Sequence, residues 1–152
     1  MIKLFRISLS EHINDMTGTG AKIYGGRWNH AGYPLVYASG SRSLAALEFL
    51  VHVPMALAPD NLSIAEINIP KNIKRASIKE NQLPKNWKNY PAPEEIANLG
   101  TNWIKSKSSL LLNVPSAVVD KEFNTLINPL HPDMRFADLV SIEPFSFDPR
   151  LL

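Results

Sequence analysis

Apolar and polar positions alternate with a period of two over Ile2–Leu9 and again over Asn61–Ile69, which ends at Pro70; both predict strands. The rhythm changes in Leu35–Val53. A short strand ends at Tyr37 and Ala38, Ser39-Gly40-Ser41 turns the chain, and Leu44, Leu47, Phe49, Leu50 and Val51 predict a helix stopped by Pro54. A second helix is predicted over Glu94–Lys107, with acids in its first turn, lysines in its last and an inner stripe of Ile96, Leu99, Trp103 and Ile104. Ile73–Ile78 extends or pairs with the strand before it. Ser109–Val114 and Ala117–Val119 read as buried strand pieces around Pro115-Ser116, and Phe136–Phe147 as a last strand interrupted near Pro144. Phe123–Ile127 fits more than one element. Asn14–Gly20 and Gln82–Pro93 read as loops, the second with Trp87 and Tyr90 as packing anchors, and Asn128–Pro132 as a rigid turn. The sum is α+β: one domain over residues 1–152, with a mixed or antiparallel β core of six or more strands and two flanking helices.

Composition narrows the function little. A chain of 152 residues, 45% hydrophobic and 20% charged, is the size and make-up of one globular domain. A net charge of +2 with no Lys/Arg run gives no reason to expect nucleic acid. Without cysteine there is no disulfide, thiolate nucleophile or zinc–thiolate site, which fits a cytoplasmic protein. No apolar stretch reaches bilayer-spanning length, and the N-terminal apolar run is too short for a signal peptide.

The chemistry concentrates around one acid. Glu48 lies in the helix that is apolar on nearly every face, a pattern that predicts burial. A buried carboxylate is costly unless it is paired, hydrogen-bonded or used. Arg6 points to the opposite face of the first strand from Phe5 and Ile7, and in a central strand needs an anion, either Glu48 or a ligand. Tyr24-Gly25-Gly26-Arg27-Trp28-Asn29 places charge, an aromatic face and an amide after two glycines; by itself it reads as a tight turn with a packed Trp28. His12, His30, His52 and His131 are scattered, so no metal site is expected. No nucleophile elbow and no second carboxylate in an apolar setting are present. One carboxylate, two arginines, aromatic rings and small hydroxyls suit a ligand with phosphates and a planar ring.

Taken in order, Phe5-Arg6, Gly25-Gly26-Arg27-Trp28-Asn29, Val36-Tyr37-Ala38-Ser39, Ala45-Ala46-Leu47-Glu48 with His52, Val114-Pro115-Ser116 and Asn128-Pro129-Leu130-His131-Pro132 resemble the RES domain. The likeness runs from Phe5 to about Phe147. The Arg, Glu and Ser that give the family its name fall here on Arg6, Glu48 and Ser116.

The resemblance implies an ADP-ribosyltransferase-like architecture and a toxin of a toxin–antitoxin pair. Such a toxin depletes cellular NAD by cleaving the nicotinamide–ribose bond, with water or inorganic phosphate as acceptor. Its implied partner is an Xre-like helix-turn-helix antitoxin covering the active site, and NAD is a substrate rather than a cofactor. On this reading Glu48 stabilises the oxocarbenium-like state, enclosed by Leu44, Leu47 and Val51. Arg6 and Arg27 grip the pyrophosphate, Tyr37 stacks on nicotinamide or bonds the ribose, and Ser116 bonds nicotinamide or ribose. His52 reads as a core histidine and His131 as structural. The same pocket suits ADP-ribosyl transfer to a protein, and a non-enzymatic interaction module is the alternative of another class.

Overall fold

The computed structural model describes residues 1–53 and 59–151. Among these residues seven strands form one sheet: β1 (Ile2–Leu9), β2 (Val36–Ser39), β3 (Leu62–Ile69), β4 (Arg75–Ser77), β5 (Leu111–Pro115), β6 (Phe123–Ile127) and β7 (Asp138–Phe145). Their order is β4-β5-β6-β2-β1-β3-β7, antiparallel except for the parallel pair β4–β5. Among the described residues three α-helices accompany it: α1 (Thr19–Tyr24), α2 (Arg42–Leu50) and α3 (Glu94–Ser106). The α+β class with a mixed sheet is what the alternating pattern predicts.

Period-two alternation sorts the strand side chains into two cores. Leu112, Val114 and Leu126 join Trp28, Leu35, Trp87 and Ile96, Trp103 and Ile104 of α3 on one face of the sheet; Leu99, expected on the same stripe, is exposed. Leu4, Val36, Ala38, Ile67, Ile69, Leu111 and Ile127 form the other core. Helix α3 comes close to the chain at Trp28: a methyl group on Gly100 would collide with the Trp28 carbonyl, so the glycine is required by that approach.

The pairing around β1 is lopsided, and this makes the site. Strand β1 pairs with β3 along its whole length, from Ile2 opposite Ile69 to Leu9 opposite Leu62. With β2 it shares one register pair, Phe5 opposite Ser39. No other register pair joins the two strands, and α2 packs against both. Ser41 caps α2 by accepting a hydrogen bond from the Leu44 amide at 3.1 Å.

Several expectations change. Thr19–Tyr24, at the end of the expected glycine loop, is helical, because Gly18 adopts a left-handed conformation (φ 73°) and starts a short turn of helix. Residues 117–119 are not a strand: Ser116 accepts hydrogen bonds from the amides of Val118 and Val119, which curls the chain there. β4 pairs with β5, not with the strand before it. α2 is not a buried helix. Leu44 and Ala45 are buried, but Leu47 is 41% and Val51 57% exposed, since no described element packs on their side. The expected stop at Pro54 lies outside the described residues.

Candidate active site

Glu48 projects from α2 toward the sheet, and its hydrogen bonds fall on one oxygen. Oε1 accepts from Ser116 Oγ at 2.6 Å and from Asn124 Nδ2 at 2.7 Å. Among the described residues nothing bonds Oε2. Ser116 directly follows β5, opens the turn there and is only 2% exposed; its hydroxyl also accepts from the Val118 and Val119 amides. Its one proton and both lone pairs are therefore committed. This corrects the expected contact of Ser116 with nicotinamide or ribose: it orients the carboxylate.

Asn124 was not singled out from the sequence. It sits on β6 opposite Ser39 of β2, and Ser39 Oγ donates to its Oδ1 at 2.7 Å. That bond leaves the amide nitrogen facing Glu48. The chain Ser39–Asn124–Glu48–Ser116 thus links β2, β6, α2 and the residue after β5, with Ser116 and Asn124 meeting on one oxygen. The only hint in the sequence was an Asn inside a run of strand-forming residues, where amides are disfavoured.

Arg6 was expected to meet Glu48 or a ligand, and within the protein its partners are carbonyl oxygens instead. Both guanidinium groups donate to backbone carbonyls rather than to Glu48. Arg27 Nη1 donates to Trp87 O at 2.7 Å and Nη2 to Asn89 O at 3.2 Å. Arg6 Nη1 donates to Ile13 O at 2.8 Å, and Nη2 to His12 O at 3.4 Å. Burial lowers the pKa of each below the ordinary arginine value. The opposing influence differs: Glu48 raises that of Arg27, and Asp15 that of Arg6.

Tyr37 is anchored by its hydroxyl, which donates to Asn29 Oδ1 at 2.6 Å and accepts from the Trp28 amide at 3.0 Å. Burial raises its pKa well above the ordinary tyrosine range, so the phenol stays neutral. The hydroxyl is unavailable for a ribose; the ring is what Tyr37 offers. Asn29 itself is buried and saturated by the carbonyls of Ala21, Tyr33 and His30, so the segment after the two glycines is the expected tight turn, with Trp28 in the core. His131 is structural, its Nδ1 accepting from the Asp133 amide at 3.0 Å. His52 and Tyr90 are corrections. Both are exposed, with ring centroids 6.2 Å apart, on the rim of the site.

These residues share space. A cavity of about 420 Å³ is lined by Arg27, Tyr37, Glu48, His52, Tyr90 and Asn124 among others. A smaller one, about 190 Å³, opens between β1 and β2 and brings Arg6 together with Tyr37, Glu48 and Asn124. The enclosure predicted from Leu44, Leu47 and Val51 is only partial: of these, Val51 alone lines a cavity wall, and from the outer rim. The arrangement is a carboxylate with one oxygen fixed and, among the described residues, one without a hydrogen bond, sharing one cavity with Arg6 and another with Arg27, with Tyr37 on the wall of both. It can stabilise a developing positive charge and hold phosphates beside it.

The family model of the RES domain matches residues 3–148. A Sphingobium protein named "Prs ADP-ribosylating toxin" is 38% identical over 91% of this chain and 88% of its own length. A Yersinia enterocolitica protein named "Toxin Res" is 40% identical over 97% and 98%. Among solved structures, the crystal structure of the Mycobacterium tuberculosis MbcT–MbcA toxin–antitoxin complex matches with a TM-score of 0.73 at 15% identity, covering 95% of this chain and 84% of that one; it supports the fold. With the match spanning nearly the whole chain and the sequence relatives named as toxins, the protein belongs to the RES domain family and is a toxin of that type.

Proposed function

We propose that this toxin cleaves NAD at the nicotinamide–ribose bond. The observation that carries the reading is the half-saturated Glu48: Ser116 and Asn124 fix Oε1, and Oε2 is left for a substrate in a cavity that Arg27 and Tyr37 also line. In the reaction the C1′–N bond breaks and its electron pair leaves with nicotinamide, which departs neutral. The ribose carbon is left oxocarbenium-like, and Oε2 of Glu48 stabilises that charge. The acceptor oxygen then bonds C1′ and gives its proton to solvent. No strong general acid is needed, which suits a site with one carboxylate.

Arg27 takes the pyrophosphate with the N–H groups it does not spend on Trp87 and Asn89; Arg6 holds a phosphate on the other side of Glu48, either part of NAD or the acceptor. The Tyr37 ring stacks on nicotinamide. The products are ADP-ribose with water, or its 1″-phosphate with inorganic phosphate. A second reading is favoured by the Sphingobium relative's name: transfer of ADP-ribose to a protein. The structural neighbour was solved bound to an antitoxin, and we assign this toxin an antitoxin partner of the Xre-like helix-turn-helix kind, seated over the cavity.

The test is NAD consumption by purified protein, with Glu48→Gln as the control that keeps shape and removes charge. A Glu48→Gln variant that consumes NAD at the parental rate ends the proposal. Mass analysis of products with and without phosphate, and labelling of protein from adenylate-labelled NAD, separate the three acceptors.

A further inference from the structure

A third cavity, about 620 Å³, adjoins the one that holds Glu48; the two share Arg27, His52 and Tyr90. Its wall carries two rings that the fold does not use. Tyr24, the last residue of α1, is 85% exposed, and Tyr90 is 81% exposed. A single exposed aromatic residue is ordinary, but two on the wall of one cavity form an apolar lining for a flat ligand. Neither ring is on a free segment. Tyr90 follows Asn89, whose carbonyl Arg27 holds, and Tyr24 precedes Gly25, which is bonded through its amide to Ala21 O at 2.8 Å. Charge is distributed along the same path. Arg27 stands where the two cavities join, and Glu94, in the first turn of α3, lines the far cavity. With Glu95 beside it, Glu94 offsets the positive end of α3, so that wall repels rather than attracts a further anion.

We propose that this cavity holds the adenosine half of the dinucleotide: Tyr24 and Tyr90 stack on the base, and Glu94 faces the adenosine ribose. The inference rests on the NAD reading and extends it. The diphosphate then lies at Arg27, between a nicotinamide ribose at Glu48 and a base among the tyrosines. A carboxylate accepts hydrogen bonds from ribose hydroxyls and opposes a phosphate in the same place, so Glu94 selects NAD over NADP.

Kinetics with NAD, NADP and nicotinamide mononucleotide, which lacks the adenosine half, tests this. The parent enzyme prefers NAD to NADP. Tyr24→Ala and Tyr90→Ala each lower the ratio of kcat/KM for NAD to that for the mononucleotide by about tenfold, the loss appearing in KM. Glu94→Gln narrows the gap between NAD and NADP, and Glu94→Lys narrows it further. An unchanged ratio in both tyrosine variants, or an equal loss with both substrates, overturns the subsite. Unaltered NADP discrimination in Glu94→Lys overturns the role of Glu94. A parent that cleaves none of the three substrates defeats the underlying reading instead, and the inference with it.

Discussion

Helices α2 and α3 show how differently two apolar-patterned segments are used in one fold. α3 buries Ile96, Ala97, Gly100, Thr101, Trp103 and Ile104 and keeps its acids and lysines outside. Every apolar position on its inner stripe but Leu99 has a partner in the core, and Leu99 is at its margin. α2 is richer in apolar residues but buries only Leu44 and Ala45. Its remaining apolar surface faces outward or lines the cavities, and its one carboxylate is held by residues from two other segments. α3 contributes stability; α2 presents a charge. The lesson is that an amphipathic stripe reports packing, whereas an all-round apolar helix with one acid reports a surface kept open.

This contrast is open to direct attack. The largest effect belongs to α3: Ile104→Ala, at a fully buried position, costs about 2–5 kcal/mol of stability, read from urea denaturation. Glu48→Gln in α2 behaves oppositely, losing about 100- to 1000-fold in NAD turnover while the denaturation midpoint moves little. Asn124→Ala removes one of the two donors to Oε1 and lowers kcat about tenfold or more, with a smaller change in KM. A pH series adds Tyr37. Its folded pKa is raised, so the native state holds its proton where the unfolded chain begins to lose it. Stability therefore falls as pH rises above about 10, the ordinary tyrosine value, and Tyr37→Phe flattens that alkaline decline. The smallest effect is Leu47→Ser on the exposed face of α2, within about 0.5 kcal/mol of the parent. A large loss there would mean that α2 is packed as tightly as α3.

What the sequence disclosed follows physical locality. Strand β1 runs over Ile2–Leu9 as the alternation predicts, and α3 ends one residue before the predicted Lys107, which takes the left-handed cap position (φ 51°). Both signals are carried by neighbours in the chain. The pairing of β4 with β5 was illegible because a three-residue strand carries no register information of its own. The same holds in the site. Glu48 stood out because a carboxylate among Leu, Ala and Phe is a local anomaly. Asn124 did not, because its meaning comes from Ser39, 85 positions away, and Glu48, 76 positions away. Arg6 was the arginine expected to meet Glu48 or a ligand, and Arg27 a pyrophosphate contact; the fold instead puts Glu48 among the influences that raise the pKa of Arg27, and Asp15 in that place for Arg6.

The lopsided saturation of the Glu48 carboxylate has a consequence for inhibitor chemistry. A blocking compound that straddles the acid with a two-pronged amidine finds one prong opposed by the Ser116 and Asn124 donors already seated on Oε1. A cationic ring with a single directed donor meets no such competition. Compounds of that shape should bind more tightly than two-pronged ones of equal charge.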